Sequence, residues 1–309
     1  MSHSSQLEQP VTVSRVCRRL RMSRQNFYWE KKKRSRRRVE AELLAQFTRD
    51  QRREHARMGC RKILYLFGQA HTQHRSRIGR DRAFEELRKR GLLVPKKKAK
   101  PRTTRFNQNL PSFKNQIRDL EVASANQVWV SDLTYIQTAQ GHLYLSLVSD
   151  KFSRKIQGYH AAEDLKTGGC LRALERALKG LPKGQYPIHH SDRGCQYASH
   201  EYIQRLKSRG LKISMTDSDH CAENALAERI NGILKQEYEL DAPFRTKEQA
   251  REAIKQAIYL YNEKRPHSAL GYMTPSQKNQ ESLVATLNSW RPATLRLAGL
   301  ASTTPDARN

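Results

Sequence analysis

The sequence predicts an α/β protein in which a mixed five-stranded sheet with flanking helices follows an all-helical region. Apolar residues recur at helical spacing through residues 1–94. Five later runs rich in β-branched and aromatic residues are typical of strands: 128–137, 142–150, 155–162, 186–191 and 211–215. We therefore expect four regions along the chain: a helical region over 1–94, a basic linker over 95–120, an α/β core with a C-terminal helix over 121–284 and a flexible tail over 285–309.

Positive charge is concentrated in the first part of the chain. The 309 residues include 58 Lys and Arg against 30 Asp and Glu, which gives a formal net charge of +28. Residues 1–120 hold 33 of those cations and 10 of the acids, whereas residues 121–309 hold 25 and 20. A polyanionic partner is expected, and the uneven charge favours a DNA-binding region in front of a catalytic core. A basic disordered tail is the alternative, but such tails lack helical apolar spacing.

Residues 12–33 predict a compact helix-turn-helix, with an apolar face of Val13, Val16, Cys17 and Leu20 on its first helix. Ser23 is expected to cap the second helix. That helix opens with side chains that read base edges in DNA grooves: Arg24, Gln25 and Asn26.

The aromatic run 27–29 is interpreted as core rather than as base-stacking residues. Further helices are predicted at 38–58, 60–70 and 78–93, the last with Gly91 as its C-terminal stop. The basic linker is expected to lie along DNA phosphates through three lysines: Lys96, Lys97 and Lys98.

The order of the later elements predicts a ribonuclease H-like core. The turn at 139–141 joins the first two strands and indicates an antiparallel meander. Helices are predicted between and after the remaining strands, at 165–179, 199–209 and 222–238, and a further amphipathic helix at 247–262. Three strands followed by alternating helices and strands are the arrangement of that core.

Three acidic residues have settings that favour a metal site. Asp132 and Asp192 follow strands that are neighbours in this fold, and Glu228 lies in the helix that packs on the sheet. Each alone is an ordinary turn or solvated helix residue. Together, converging carboxylates repel one another and require a cation, and hard oxygen ligands suit Mg²⁺ or Mn²⁺. Two such ions can cleave and join phosphodiesters.

Alternatives to Glu228 fit less well. Glu237 falls on roughly the opposite side of the helix, and Glu223 lies at its start, where a carboxylate is ordinarily a cap. Lys235 shares the face of Glu228 and is expected to contact the DNA backbone. Of two adjacent histidines, His190 is the candidate, because it lies two residues from Asp192.

Zinc, disulfide and membrane chemistry are not expected. The five cysteines form no CxxC pair, and the pair His71 and His74 has no matching cysteines. No apolar run approaches the length of a membrane span, so a cytoplasmic protein is expected.

At these residues the sequence resembles the insertion-sequence-three family of transposases, specifically their second reading-frame product, within the retroviral integrase superfamily. The resemblance covers roughly residues 12–280 and is carried by five stretches in order: 126–135, 190–197, 224–228, 261–272 and 274–275. Thirty-five residues separate Asp192 from Glu228, which is the family spacing, and Lys235 holds the basic position seven residues after the glutamate. Cys195 replaces a common serine and Glu223 a common aspartate, and neither change removes a triad member.

The resemblance implies that Asp132, Asp192 and Glu228 are the metal ligands of a polynucleotidyl transferase with endonuclease activity, using Mg²⁺ or Mn²⁺, two ions in all. Cleavage would give a 3′ hydroxyl that attacks a second phosphodiester. Further positions match family motifs without a chemical role that we assign: Gln196, Tyr197, Asn224, Asn262, Arg265 and His267.

The implied partners are double-stranded DNA, as the terminal inverted repeats of an element and as target, and further copies of the chain on that DNA. An upstream reading-frame product is expected as a source of end recognition or multimerisation. We expect a bacterial, nucleoid-associated protein. The alternatives are a non-catalytic DNA-binding regulator derived from a transposase and a structure-selective nuclease without strand transfer.

Overall fold

The computed structural model describes residues 12–72, 78–95, 111–217 and 224–289, except for the side chains of 286–289. The chain forms two compact units. One takes in residues 1–53 and 59–94, and the other residues 54–58 and 95–309.

The first unit is helical. Its helices are α1 (Val13–Arg19), α2 (Arg24–Glu54), α3 (Cys60–Ala70) and α4 (Arg80–Lys89). Ser23 Oγ accepts a hydrogen bond from the backbone N–H of Asn26 at 3.1 Å, which confirms the predicted cap. Gly91 has a left-handed φ of 66° and ends α4 as predicted. Helices α1 and α2, with the turn between them, lie where a helix-turn-helix was predicted over 12–33. Their identity as a DNA-binding helix-turn-helix stays a prediction.

The sequence was misleading at three places in this unit. We predicted a break between 33 and 38, but α2 is one helix of 31 residues. The basic run contains no glycine or proline, and lysine and arginine favour helices. Tyr28 and Trp29 are not core: they are 50% and 55% exposed, because consecutive helical residues point about 100° apart and cannot share one face with Phe27. Leu20 is 63% exposed because α1 ends before it.

The second unit is built on a five-stranded sheet. Its strands are β1 (Val128–Thr138), β2 (Gly141–Asp150), β3 (Ile156–Ala162), β4 (Ile188–Ser191) and β5 (Lys212–Met215). Their order is β3-β2-β1-β4-β5. The pairs β1–β2 and β2–β3 are antiparallel, and β1–β4 and β4–β5 are parallel. The predicted meander and the mixed sheet are confirmed.

Helices cover both faces of the sheet. They are α5 (Thr167–Lys179), α6 (His200–Ser208), α7 (Ala225–Glu237) and α8 (Lys247–Tyr259). Fully buried Trp129 and Leu174 belong to the core under α5 and α6, and Ile136 and Ile254 to the core under α7 and α8. Burial of each such side chain stabilises the fold by roughly 1.5–3 kcal/mol. Helices on both faces therefore stabilise the sheet.

The chain after α8 is more ordered than predicted. A π-helical turn (Leu260–Lys264) and a 3₁₀ turn (Ser268–Leu270) lead into α9 (Pro275–Ser289). Residues 285–289 are therefore helical and not part of a flexible tail, and residues 290–309 lie outside the described residues. None of the helices in the described part of the chain is both long and apolar enough to cross a bilayer.

Candidate active site

Two of the three predicted carboxylates meet where β4 ends beside β1. β1 and β4 run parallel, with Val130 opposite His190. Asp132 lies two residues beyond Val130, and Asp192 lies two residues beyond His190. Asp192 follows the last residue of β4, whereas Asp132 lies inside β1, which continues to Thr138 along β2. The two carboxylates therefore meet where the pairing of β1 with β4 stops, and not at two strand ends as predicted. Both residues are partly buried.

The pKa values of both carboxylates are raised. Burial, followed by the charge of Asp192, raises the pKa of Asp132 to about 6. A hydrogen bond from Asn231 Nδ2 to Asp132 Oδ2 at 2.8 Å and the charge of Lys235 act in the opposite direction. Burial also raises the pKa of Asp192, against a hydrogen bond from the Gly194 backbone N–H at 3.0 Å. The site thus holds like charges that favour a proton or a cation.

Helix α7 presents one face to this site. Asn231 contacts Asp132 directly, and Lys235, one turn later, is close enough for its charge to act on Asp132. Glu228 lies one turn earlier on the same face, in the first turn of α7, and its side chain is exposed. The residues just before it, 218–223, lie outside the described residues. The helical spacing of the sequence placed Asn231 on the face of Glu228 and Lys235, but the sequence analysis gave Asn231 no role in the site.

The three carboxylates do not form a closed ligand set in this structure. Among the described residues, no three His, Cys, Asp or Glu side chains are close enough to hold a metal ion together. The donors nevertheless suit a hard divalent cation: they are carboxylate oxygens, and two of them have raised pKa values because they are buried together. A cation would offset the cost of burying these charges and would counteract the charge of Asp192 at Asp132. Glu228 as the third ligand stays a prediction.

The two adjacent histidines both have buried partners. His190 Nδ1 lies 2.9 Å from Ser214 Oγ on β5, so its described hydrogen bond goes to the sheet rather than to Asp132 or Asp192. His189 Nε2 lies 2.8 Å from Ser131 Oγ and 3.0 Å from Tyr202 Oη. Burial, then the neighbouring His190, lowers the pKa of His189 to about 3, so the ring is neutral. This network fixes β1 against β4 just before the two aspartates.

Three further candidates support the surroundings of the two aspartates. Gln196 is buried and donates to the Leu165 carbonyl at 2.8 Å. Tyr197 is buried in the core between the sheet and α5 and α6. Asn224 Nδ2 donates to the Ser131 carbonyl at 3.1 Å, which ties the start of α7 to the residue before Asp132.

The C-terminal candidates form a separate buried group, which we call the C-terminal cluster: Asn262, Arg265 and His267. Asn262 makes two 3.0 Å hydrogen bonds to the backbone of Ile156 at the start of β3. Arg265 binds both carboxylate oxygens of Glu237 at 2.7 and 2.8 Å. The His267 ring packs edge-on against Tyr261, with 4.9 Å between centroids. These contacts brace α7 and β3.

The predicted DNA contacts of the first unit are exposed where they are described. Arg24, Gln25 and Asn26 all lie on the surface at the start of α2. Lys96, Lys97 and Lys98 lie outside the described residues.

Comparisons with known proteins agree with this architecture. Two family models described as Integrase core domain match residues 123–221 and 209–275. The chain is 38% identical over 202 residues to the insertion element IS600 uncharacterized 31 kDa protein of Shigella sonnei, covering 64% of this chain and 74% of that protein. It is 29% identical over 291 residues to transposase InsF for insertion sequence IS3A of Escherichia coli (strain K12), covering 88% and 95%.

A solved structure is also similar, namely the HTLV-2 integrase catalytic core domain in complex with magnesium. The likeness covers 50% of this chain and 96% of that chain, with 23% sequence identity and a TM-score of 0.40.

Proposed function

The chain belongs to the insertion-sequence-three family of transposases, within the retroviral integrase superfamily, and we propose that it catalyses transposition through Asp132, Asp192 and Glu228. Its function is DNA transposition. The proposed reaction is cleavage at the ends of its insertion element, followed by strand transfer. Water first breaks a P–O bond and leaves a 3′ hydroxyl. That hydroxyl then attacks a phosphodiester of the target, forms the new P–O bond and displaces a second 3′ hydroxyl.

Asp132 and Asp192 are the proposed principal ligands of Mg²⁺ or Mn²⁺, with Glu228 as the third and two ions in all. When bound, the ions would activate the attacking oxygen and stabilise the leaving one. The chain's own residues set the geometry. Asn231 holds the Asp132 carboxylate in one orientation through its 2.8 Å hydrogen bond. The Gly194 N–H holds that of Asp192.

DNA recognition is proposed for both units. Lys235 would contact a phosphate near the reacting bond, since its charge already acts at Asp132. Arg24, Gln25 and Asn26 would read base edges of the element's terminal inverted repeats from the exposed start of α2. The proposed assembly is a homo-oligomer on DNA, joined by an upstream reading-frame product. A DNA substrate in a bacterium implies action in the cytoplasm, at the nucleoid.

One observation carries this proposal: two partly buried carboxylates with raised pKa values meet where β4 ends beside β1, and α7 faces them. Ion pairs and hydrogen bonds normally neutralise buried acids. A pair left with like charges is the arrangement that a divalent ion stabilises, and clustered perturbed carboxylates are typical of active sites.

The test is DNA cleavage by the full chain with Mg²⁺ and labelled DNA that carries the element's own ends. We expect Asp192→Asn to reduce cleavage and joining by on the order of a thousandfold, because a ligand charge is lost while the basic surfaces are unchanged. DNA binding should stay within about twofold. Asp164→Asn is the matched control, since this aspartate is exposed and outside the site.

Equal loss of binding and cleavage in Asp192→Asn would contradict the proposed division between metal site and DNA surface. Binding without product from the unaltered chain calls for addition of the upstream reading-frame product. Product that appears only then supports a transposase that needs that partner, and continued absence of product supports a DNA-binding regulator.

A further inference from the structure

An exposed tyrosine of β1 contacts Lys235 and has no role in the proposal above. Tyr135 lies three residues after Asp132 on β1, and 53% of its side chain is exposed. The Lys235 ammonium lies 4.5 Å from the centroid of its ring. On the other side, the His142 ring of β2 packs against it at 5.5 Å.

The sheet explains why this ring reaches α7. β4 pairs with β1 only through residues 128–130, and the next described bridge on that side of β1 joins Thr138 to Phe244. Among the described residues, no named strand therefore lies on that side of β1 at Tyr135. α7 lies against β1, and Lys235 meets the ring of Tyr135 there. His142 holds the ring from the neighbouring strand. The sheet therefore holds Tyr135 in place, and the ring of Tyr135 in turn holds the flexible side chain of Lys235.

We propose that Tyr135 is a positioning residue that seats the Lys235 ammonium over its ring, so that the charge is held beside Asp132 and toward a DNA phosphate. A lysine side chain has a flexible four-carbon stem and loses much conformational freedom when it is fixed. A cation–π contact offsets part of that loss before DNA binds. The inference rests on the proposed function, because it assigns Tyr135 to the DNA contact of Lys235.

A double-mutant cycle tests whether Tyr135 positions Lys235, with the rate of DNA joining by the full chain as the measured quantity. Tyr135→Leu should lower the joining rate about three- to fivefold, as expected for loss of one cation–π contact. Tyr135→Phe keeps the ring and should leave the rate unchanged. In a Lys235→Ala background, Tyr135→Leu should have no further effect. Tyr259→Leu on α8 is the matched control, because Tyr259 is 55% exposed and lies outside the site.

The same factor of loss in the Lys235→Ala background would overturn the proposal, because Tyr135 would then act on DNA by itself. Loss in Tyr135→Phe equal to that in Tyr135→Leu would also overturn it, because the ring alone would not suffice. Thermal unfolding of each variant should match the unaltered chain, as the side chain is exposed.

A readout without DNA separates this inference from the proposed function. Limited acetylation of the full chain, followed by peptide mass spectrometry, measures the reactivity of individual lysines. Tyr135→Leu should increase acetylation of Lys235 about two- to threefold and leave Lys255 on α8 unchanged, since Lys255 is 69% exposed. Faster acetylation in a chain that joins no DNA even with the upstream reading-frame product added would support the placement of Lys235 by Tyr135 and reject the function. Unchanged acetylation of Lys235 would reject the proposal that Tyr135 positions Lys235.

Discussion

Helix α7 touches two groups of buried charges that are arranged in opposite ways. At its C-terminal end, Glu237 is bound by both donors of Arg265, whose side chain is only 2% exposed. On the face toward β1 and β4, Asp132 and Asp192 are both acidic, and Asp132 accepts hydrogen bonds from Asn231 and from the backbone of Leu133. One group is neutral as a pair, and the other carries two charges of the same sign.

The difference separates structural acids from functional ones. A buried carboxylate that is paired and fully hydrogen-bonded braces the fold and titrates in the acid range. Two buried carboxylates that lie close together repel each other and lower the free energy of unfolding. Such an arrangement is typical of sites that bind a cation. Family motifs contain both kinds of residue, so a motif position by itself does not distinguish them. Arg265 belongs to the first group and Asp132 to the second.

Removal of Arg265 should give the largest change in stability. Arg265→Ala leaves Glu237 without its partner, and we expect the free energy of unfolding to fall by about 3 kcal/mol. Urea unfolding of the full chain measures this. The double variant Glu237→Gln with Arg265→Met should recover much of the loss, because no uncompensated charge remains. A loss below about 1 kcal/mol in Arg265→Ala would contradict the structural role of the pair.

The sequence predicted the strands and helices of the second unit well, because their apolar periods are strong and the turn at Gly141 is short. It placed Asp132 and Asp192 together because the fold type makes the strands that carry them neighbours. It did not predict the partner of Arg265, which lies 28 residues away on another helix. The sequence analysis considered Glu237 only as a poor metal ligand. It could not pair Glu237 with Arg265, because the two residues are neighbours in the fold and not in the sequence.

Exposure was the second property that periodicity could not supply. Tyr28 and Trp29 were predicted as core by their type, and they are exposed because α2 continues as one long helix with its neighbours on another side. Glu228 is likewise at the surface, in the first turn of α7, which the helical period of the sequence did not indicate.

The pH dependence of stability should reveal the pair of Asp132 and Asp192. In the folded chain the pKa of Asp132 is about 6, above its unfolded value, so the folded state binds the proton more tightly. The Asp132 contribution to the free energy of unfolding should therefore fall as pH rises from about 4 to about 6, by about 2–3 kcal/mol, and stay level above. His189, whose pKa is lowered from 6.5 to about 3, contributes in the opposite direction over an interval that includes pH 4 to 6, because the unfolded state binds its proton more tightly.

The difference between the unaltered chain and Asp132→Asn isolates this contribution. Urea unfolding at intervals between pH 4 and pH 7 should show the variant gaining stability relative to the unaltered chain across that interval. A constant difference over the whole range would mean that Asp132 has an ordinary pKa and that the like-charge description of the two aspartates is wrong.

Magnesium binding should give the smallest change in the free energy of unfolding, and it tests most directly whether Glu228 is a metal ligand. At pH 7 and about ten times the dissociation constant, Mg²⁺ should raise the free energy of unfolding by about 1.4 kcal/mol, because the ion binds the folded chain and relieves the repulsion between Asp132 and Asp192. The gain should vanish near pH 5, where a proton on Asp132 competes with the ion. Asp192→Asn should lose nearly all of it, and Asp164→Asn should keep it. Glu228→Gln is the deciding variant: a partial loss means that α7 brings its carboxylate to the ion, whereas an undiminished gain would leave a site of two aspartates and assign Glu228 to the surface where it lies in this structure.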